Sequence, residues 1–151
     1  MSEIKNEGIK MVRVKVAFVC VHNACRSQIA EALAKKWGRD MLEVYSAGTE
    51  LKEKINQDAV RLMKKMHQID MEETQEPKLI TEIPPVDYVI TMGCNVACPT
   101  LPYKHQRFDW GLEDPSGKED ASYVRVINQI QEEVLQLIEE IKNKGEYRYE
   151  K

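Results

Sequence analysis

No uninterrupted apolar stretch in this sequence approaches the roughly 20 residues that a helical membrane span requires, so an integral membrane protein built on helices is not expected. The N-terminal MSEIKNEGIKMVRVK is polar and charged where a secretory leader would carry an apolar core. Charge of either sign is scarce in the balance: 22 basic against 25 acidic residues leave a formal net charge of −3, with no electrostatic reason for a nucleic acid or an anionic membrane as partner. Repeats, low-complexity tracts and linker-like stretches are also missing, which leaves no signal for a second domain. A chain of 151 residues buries enough surface in one core to need no covalent staple. These absences together lead to the expectation of one cytoplasmic globular domain, a monomer, with no nucleic acid or membrane partner.

Cysteine is present four times, as Cys20, Cys25, Cys94 and Cys98. In a reducing compartment an even count does not imply a disulfide framework. A free cysteine is most often a small buried hydrophobe, but two close pairs at loop-like positions make that reading weaker. A zinc site competes, using these thiols with His22, His67 and His105. Neither pair has the two-residue gap usual for structural zinc, and Arg26 would press a positive charge against a metal held by Cys20 and Cys25. No metal is therefore expected.

The valine-rich run from Val12 to Cys20 reads as a buried strand, and SQIAEALAKKW after it carries helical spacing with Ile29, Ala30, Leu33 and Trp37 on one side. LEVYSAG, from Leu42 to Gly48, is a second strand closed by a glycine. NQDAVRLMKKMHQ is a helix with Asn56 as its cap and Ala59, Val60, Met63 and Met66 as its core face. A short KLITEI element leads through Pro84 and Pro85 to the strand VDYVITM. RFDW, from Arg107 to Trp110, is a last short strand, and SYVRVINQIQEEVLQLIEEIKNK is a long amphipathic helix with Val124, Ile127, Ile130, Val134, Leu137 and Ile141 facing inward. Strands alternating with helices imply right-handed crossovers and a parallel sheet with helices on both faces. Residues 1–11 are expected to be a flexible extension, 12–144 the folded domain and 145–151 a frayed tail. Ligands in such sheets bind beyond the carboxyl ends of the strands, where both cysteine loops fall.

The first loop, CVHNACRS, runs from a strand into a helix. A tight loop of that kind turns the N–H groups of Val21, His22, Asn23, Ala24, Cys25, Arg26 and Ser27 toward one point, a nest for a tetrahedral oxyanion. Arg26 adds a planar fork matched to such an anion. The same donors and the helix dipole stabilise a thiolate at Cys20, so nucleophile and target share one cradle. Ser27 is placed to bond that sulfur or to cap the helix, and Asn23 to shape the loop. His22 reads as a solvated loop residue, and Cys25 as packing.

CVHNACRS resembles the phosphate-binding loop of the low-molecular-weight tyrosine phosphatase superfamily, and SAG and DP follow in that superfamily's order. The likeness covers nearly the whole chain after the first dozen residues. It implies an α/β fold of one domain, a four-stranded parallel sheet with helices. Within the superfamily the chain is similar to the thioredoxin-coupled arsenate reductases, because TMGCNVACPTLP carries a second pair of thiols. In a helix that spacing puts Cβ atoms about 5–6 Å apart, while a disulfide wants about 3.5–4.5 Å. A bond therefore needs local unwinding between Gly93 and Pro99.

The resemblance implies that Cys20 attacks arsenate, Cys94 resolves the Cys20 adduct, and Cys98 closes a Cys94–Cys98 disulfide that thioredoxin reduces. It makes Asp114, followed by Pro115, the acid that protonates the leaving oxygen, its pKa raised by the anion it faces. Phosphatases of the family follow that motif with two tyrosines; here Ser116 and Gly117 leave room for a small inorganic oxyanion, arsenate or a phosphate-like one. No bound cofactor is implied beyond a monovalent cation held in some relatives by residues corresponding to Asn23, Glu31 and Ser46. Two other readings stand beside reduction: a phosphomonoester or tyrosine phosphatase using Cys20, Arg26 and Asp114 alone, and a non-enzymatic oxyanion or redox sensor.

Overall fold

The computed structural model describes residues 10–50, 52–93, 100–145 and 148–150. Strand β1 (Lys10–Val12) is followed by β2 (Val14–Cys20), helix α1 (Arg26–Gly38), β3 (Leu42–Gly48), α2 (Gln57–His67) and the single turn α3 (Met71–Thr74). A 3-10 turn at Ile80–Glu82 precedes β4 (Tyr88–Thr91), β5 (Gln106–Asp109), the long α4 (Asp120–Lys144) and β6 (Arg148–Glu150). Four strands make one parallel sheet in the order β3-β2-β4-β5, while β1 and β6 pair antiparallel as a separate ribbon. Among the described helices none is long and apolar enough to cross a membrane.

β2 is the central strand and is buried on both faces, which suits its run of β-branched valines. Val14, Val16 and Phe18 point into the larger core, where Ile29 and Leu33 of α1, Ala59 and Met63 of α2, and Ile127 and Ile130 of α4 join them. Ala17 and Val19 face the other way, under Ile80 and Val86. Among the described residues that second face is closed by the 3-10 turn and flanking loop residues rather than by a long helix.

Local signals account for most boundaries. Asn56 caps α2, its side chain accepting from the Ala59 N–H at 3.0 Å. The helix ends where Gln68 takes a left-handed conformation. α4 stops at Gly145 in the same way. Trp37 departs from expectation. It is 46% exposed, with the Lys36 ammonium over its ring, because α1 and α4 approach so closely at Gly38 that a Cβ there would lie 2.9 Å from Ile138. Val124 of α4 is likewise only half-buried, and Val126 takes the core position beside it.

All four sheet strands end at the same edge. There Gly93, at φ +89, lies backbone to backbone against the loop after β5, and a Cβ on it would stand 2.5 Å from the Leu112 nitrogen. Replacing Gly93 with alanine combines a left-handed residue with a main-chain clash, a strain of about 1–3 kcal/mol. The expected result is a Tm lowered by roughly 5 °C in thermal unfolding; an unchanged Tm contradicts this packing.

Candidate functional site

Cys20 is the last residue of β2, and the loop after it is shaped by where its carbonyls go. The Val21 carbonyl accepts the Thr49 and Glu50 N–H groups at 2.9 and 2.8 Å, and the Ala24 carbonyl accepts the Asn56 N–H at 2.7 Å. Asn23 stands at φ +54. With these carbonyls turned outward to β3 and α2, the N–H groups of His22 to Ser27 have no acceptor among the described residues. This is the arrangement that a nest for an anion would draw on. Gly48 makes this possible, since a Cβ there would sit 2.7 Å from the Val21 oxygen.

Ser27 does not cap α1; the N-cap position is Cys25, with no side-chain capping bond. Its hydroxyl lies 2.8 Å from the Cys20 sulfur and accepts from Asn23 Nδ2 at 2.9 Å. A hydroxyl can accept from the amide and still donate its proton to the sulfur when that sulfur is a thiolate. A second tier of buried amides holds Asn23. Gln28 Nε2 donates to the Asn23 carbonyl at 2.9 Å, the Lys78 N–H donates to Asn23 Oδ1 at 2.9 Å, and Gln75 Nε2 donates to Gln28 Oε1 at 2.7 Å. Gln28 and Gln75 were not singled out from the sequence. A glutamine beside Ile29 on the inner side of α1 was the available signal; nothing local marked Gln75.

Arg26 is 7% exposed. Its guanidinium donates to the carbonyls of Met92 at 2.7 Å and Leu112 at 2.6 Å, and lies 3.9 Å from the Asp114 carboxylate. Asp114 accepts the Ser116 N–H at 3.0 Å in a local turn. Partial burial disfavours its charge, but the Ser116 main-chain and hydroxyl donors and the Arg26 and Lys118 charges outweigh that and hold the carboxyl below the usual aspartate range. The upward shift expected of Asp114 requires an anion facing it; the protein groups around it are donors and cations and act in the opposite direction.

These groups line a cleft of about 570 Å³ that includes Cys20, His22, Arg26, Asp114 and Ser116. Lys52 and Lys54, which the sequence gave no reason to single out, stand at its rim. His22 is part-exposed and pairs with Glu50 at 3.5 Å, as a solvated loop histidine would. Cys25 is buried, and burial, with the Asp114 charge next, pushes its thiol up to about 12 against the opposing Ser116 bond and Arg26 charge. Cys94 and Cys98 lie outside the described residues, although Met92 and Gly93 lead to them from the Arg26 contact.

The cation expectation does not fit. The buried Glu31 carboxylate is bonded by the Lys35 ammonium through one oxygen and by the Ser46 hydroxyl through the other. Asn23 Oδ1 is taken by Gln28 and Lys78. A lysine already supplies the positive charge at this point, and no cluster of three or more metal-ligating side chains occurs among the described residues.

The Cys25 thiol gives a pH test. An unfolded thiol ionises near about 8.5, whereas the folded one holds its proton to about 12. The folded state therefore binds more protons within that window, and the contribution is complete below it and lost as pH rises through it. Tm measured between about pH 8.5 and 12 should fall less steeply in Cys25→Ala; parallel slopes contradict the burial argument.

A family profile described as Low molecular weight phosphotyrosine protein phosphatase matches residues 15–147. An arsenate reductase from Brevibacillus brevis is 38% identical over 119 residues, covering 76% of this chain and 87% of that protein. One from Bacillus cereus (strain 03BB102) is 35% identical over 127 residues, covering 82% of this chain and 93% of that one. Among solved structures, an arsenate reductase in the phosphate binding state superposes with a TM-score of 0.74 at 35% identity, covering 85% of this chain and 98% of its own. The thioredoxin-dependent arsenate reductase of Corynebacterium glutamicum superposes at 0.71 with 34% identity, covering 87% of this chain and 63% of its own.

Proposed function

The chain belongs to the low molecular weight phosphotyrosine protein phosphatase family, and from that membership we propose that it reduces arsenate to arsenite in a reducing cytoplasm with thioredoxin as electron donor. One observation carries the reading. The sulfur of Cys20, with the Ser27 hydroxyl 2.8 Å away, and the buried Arg26 fork share with Asp114 a cleft whose described lining includes Ser116 and no tyrosine, phenylalanine or tryptophan. The relatives named arsenate reductases, and the thioredoxin-dependent neighbour, support it.

In the first step the Cys20 thiolate attacks arsenic, the As–O bond trans to sulfur breaks, and Asp114 gives its proton to the departing oxygen, which leaves as water. The arriving anion supplies the negative charge that Asp114 needs to be protonated at neutral pH. Arg26 and the loop amides take the charge on the remaining oxygens. Cys94 then attacks the Cys20 sulfur. A Cys20–Cys94 disulfide forms, the S–As electron pair passes to arsenic, and arsenite departs two electrons richer. Cys98 attacks Cys94, releasing Cys20 as thiolate, and thioredoxin reduces the Cys94–Cys98 disulfide to two thiols.

A coupled assay with arsenate, thioredoxin, thioredoxin reductase and nicotinamide cofactor, run beside aryl phosphate hydrolysis, tests the relay. Cys20→Ser is expected to abolish both activities, while Cys94→Ser and Cys98→Ser abolish arsenate turnover and spare hydrolysis. Persistent arsenate turnover in either of the latter variants rules out the relay. Hydrolysis without arsenate turnover in the native chain would favour a phosphatase, which needs only Cys20, Arg26 and Asp114.

The rim lysines predict a separate effect. Lys52 and Lys54 give the mouth a positive field on a chain of net charge −3. The double variant Lys52→Gln/Lys54→Gln should lower kcat/KM for arsenate about 10-fold at low ionic strength and flatten its salt dependence, with kcat unchanged. A salt dependence like that of the native chain would exclude such steering.

A further inference from the structure

Tyr123 is the one fully buried tyrosine at the start of α4, 0% exposed. Its ring belongs to the core beside Ile127 and Met63. A phenylalanine would satisfy that packing, and a phenol oxygen taken out of water costs free energy unless it is bonded. Its partners are informative. Asn56 Nδ2 lies 3.0 Å from the Tyr123 oxygen and Asn56 Oδ1 3.3 Å from it, and the Gly117 main chain is close by.

Both partners connect to the cleft. Asn56 donates its own N–H to the Ala24 carbonyl of the oxyanion loop at 2.7 Å, and its Nδ2 also lies 3.5 Å from the Ser116 hydroxyl. Gly117 follows Ser116, whose N–H holds Asp114 Oδ1 at 3.0 Å. Ser116 also neighbours the Cys25 thiol of the oxyanion loop. The phenol oxygen thus joins two segments that have no strand or helix in common: the turn 114–117 and the α2 cap that pins the Cys20 loop.

The other supports of that turn are weaker. Glu113 is held by Lys118 at 3.0 Å and Arg125 at 3.2 Å, but all three side chains are exposed. Exposed pairs of this kind contribute about 0–1 kcal/mol. Asp114 itself touches Arg26 only at 3.9 Å. The buried phenol is the stiff post of the set.

We propose that Tyr123, through its hydroxyl, and Asn56, through its carboxamide, are positioning residues that set the distance of the Asp114 carboxyl from the Cys20 cradle. Tyr123 is not among the residues that line the cleft, while Asn56 stands at its wall. This inference rests on the role of Asp114 given above and extends it to the residues that aim the acid.

The test is a double-mutant cycle on the full chain. Tyr123→Phe keeps the ring and deletes the oxygen. Asn56→Ser keeps a side-chain oxygen able to cap α2 and deletes the amide donor, so it stands in if Tyr123→Phe folds poorly. Each is expected to lower kcat for arsenate about 10-fold, a fraction of what a positioned acid is worth, with inhibition by inorganic phosphate and the alkylation rate of Cys20 unchanged. In an Asp114→Asn background the same substitutions should cost nothing further. Equal losses in both backgrounds, or weakened phosphate inhibition, would mean that the oxygen only stabilises the fold, and would overturn the proposal.

A second readout does not depend on turnover. The Asp114 carboxyl, followed by 13C NMR titration, should rise toward the ordinary aspartate value in Tyr123→Phe as the Ser116 bond loosens. A titration identical to that of the native chain would also overturn the proposal. Absence of arsenate turnover in the native chain would remove the arsenate reading while leaving this measurement to decide the positioning role.

Discussion

A guanidinium 7% exposed, with its nearest described carboxylate oxygen 3.9 Å away, is the constraint around which this molecule is arranged. Such a charge is costly to desolvate. Here main-chain oxygens carry much of the compensation, Met92 at 2.7 Å and Leu112 at 2.6 Å. Those two carbonyls come from the end of β4 and from the loop after β5, so Arg26, at the first position of α1, fastens three separate segments at one point. The Leu112 N–H closes the figure by donating to Met92 at 3.2 Å. Satisfying the cation with neutral carbonyls leaves its charge uncancelled and available to an anion in the cleft.

The sulfur is placed by the same economy of means. A strand buried on both faces fixes the Cα of Cys20, and Gly48 on the neighbouring strand allows the loop to pass within backbone contact. The left-handed Asn23 reverses the chain, and its side chain is held by donors from Gln28 and Lys78. Rigidity in this layer matters because donors aimed at a developing charge are effective only if they need not reorganise. Four buried polar side chains, Asn23, Ser27, Gln28 and Gln75, are all bonded to one another or to main chain, so the site contains a connected polar network inside an otherwise apolar core.

Much of this was legible from local pattern. LEVYSAG became a strand over those seven residues, and Asn56 capped the helix it precedes. The valine run became a strand ending at Cys20, and the helix after it begins with Arg26. What was not legible is what depends on distant partners. Helical spacing placed Trp37 with Ile29 and Leu33, yet the approach of α4 at Gly38 turned it out to solvent. Gln75 lies 47 positions from Gln28, and no periodicity links them. Tyr123 was not among the inward positions expected of α4, where Val124 stood instead, and a hydroxyl's destination is set by the loops folded over it. The expected cation at Glu31 failed for a similar reason: the lysine one turn along α1 reaches back to it.

The composition of the cleft bears on which anion the cradle serves. A loop of amides and one arginine accepts any tetrahedral oxyanion, because the donors read charge and geometry and not the central atom. Selection has to come from the walls. The lining next to Asp114 is Ser116, which offers no aromatic surface, so an aryl ester gains no stacking there, whereas Lys52 and Lys54 favour a compact dianion over a neutral leaving group. A cleft of about 570 Å³ is far roomier than an inorganic oxyanion needs. Under the proposed reaction the surplus has a use: a second thiol must reach the Cys20 sulfur from the side away from Arg26. Under that proposal, hydrolysis and reduction would differ in whether water or a sulfur arrives next.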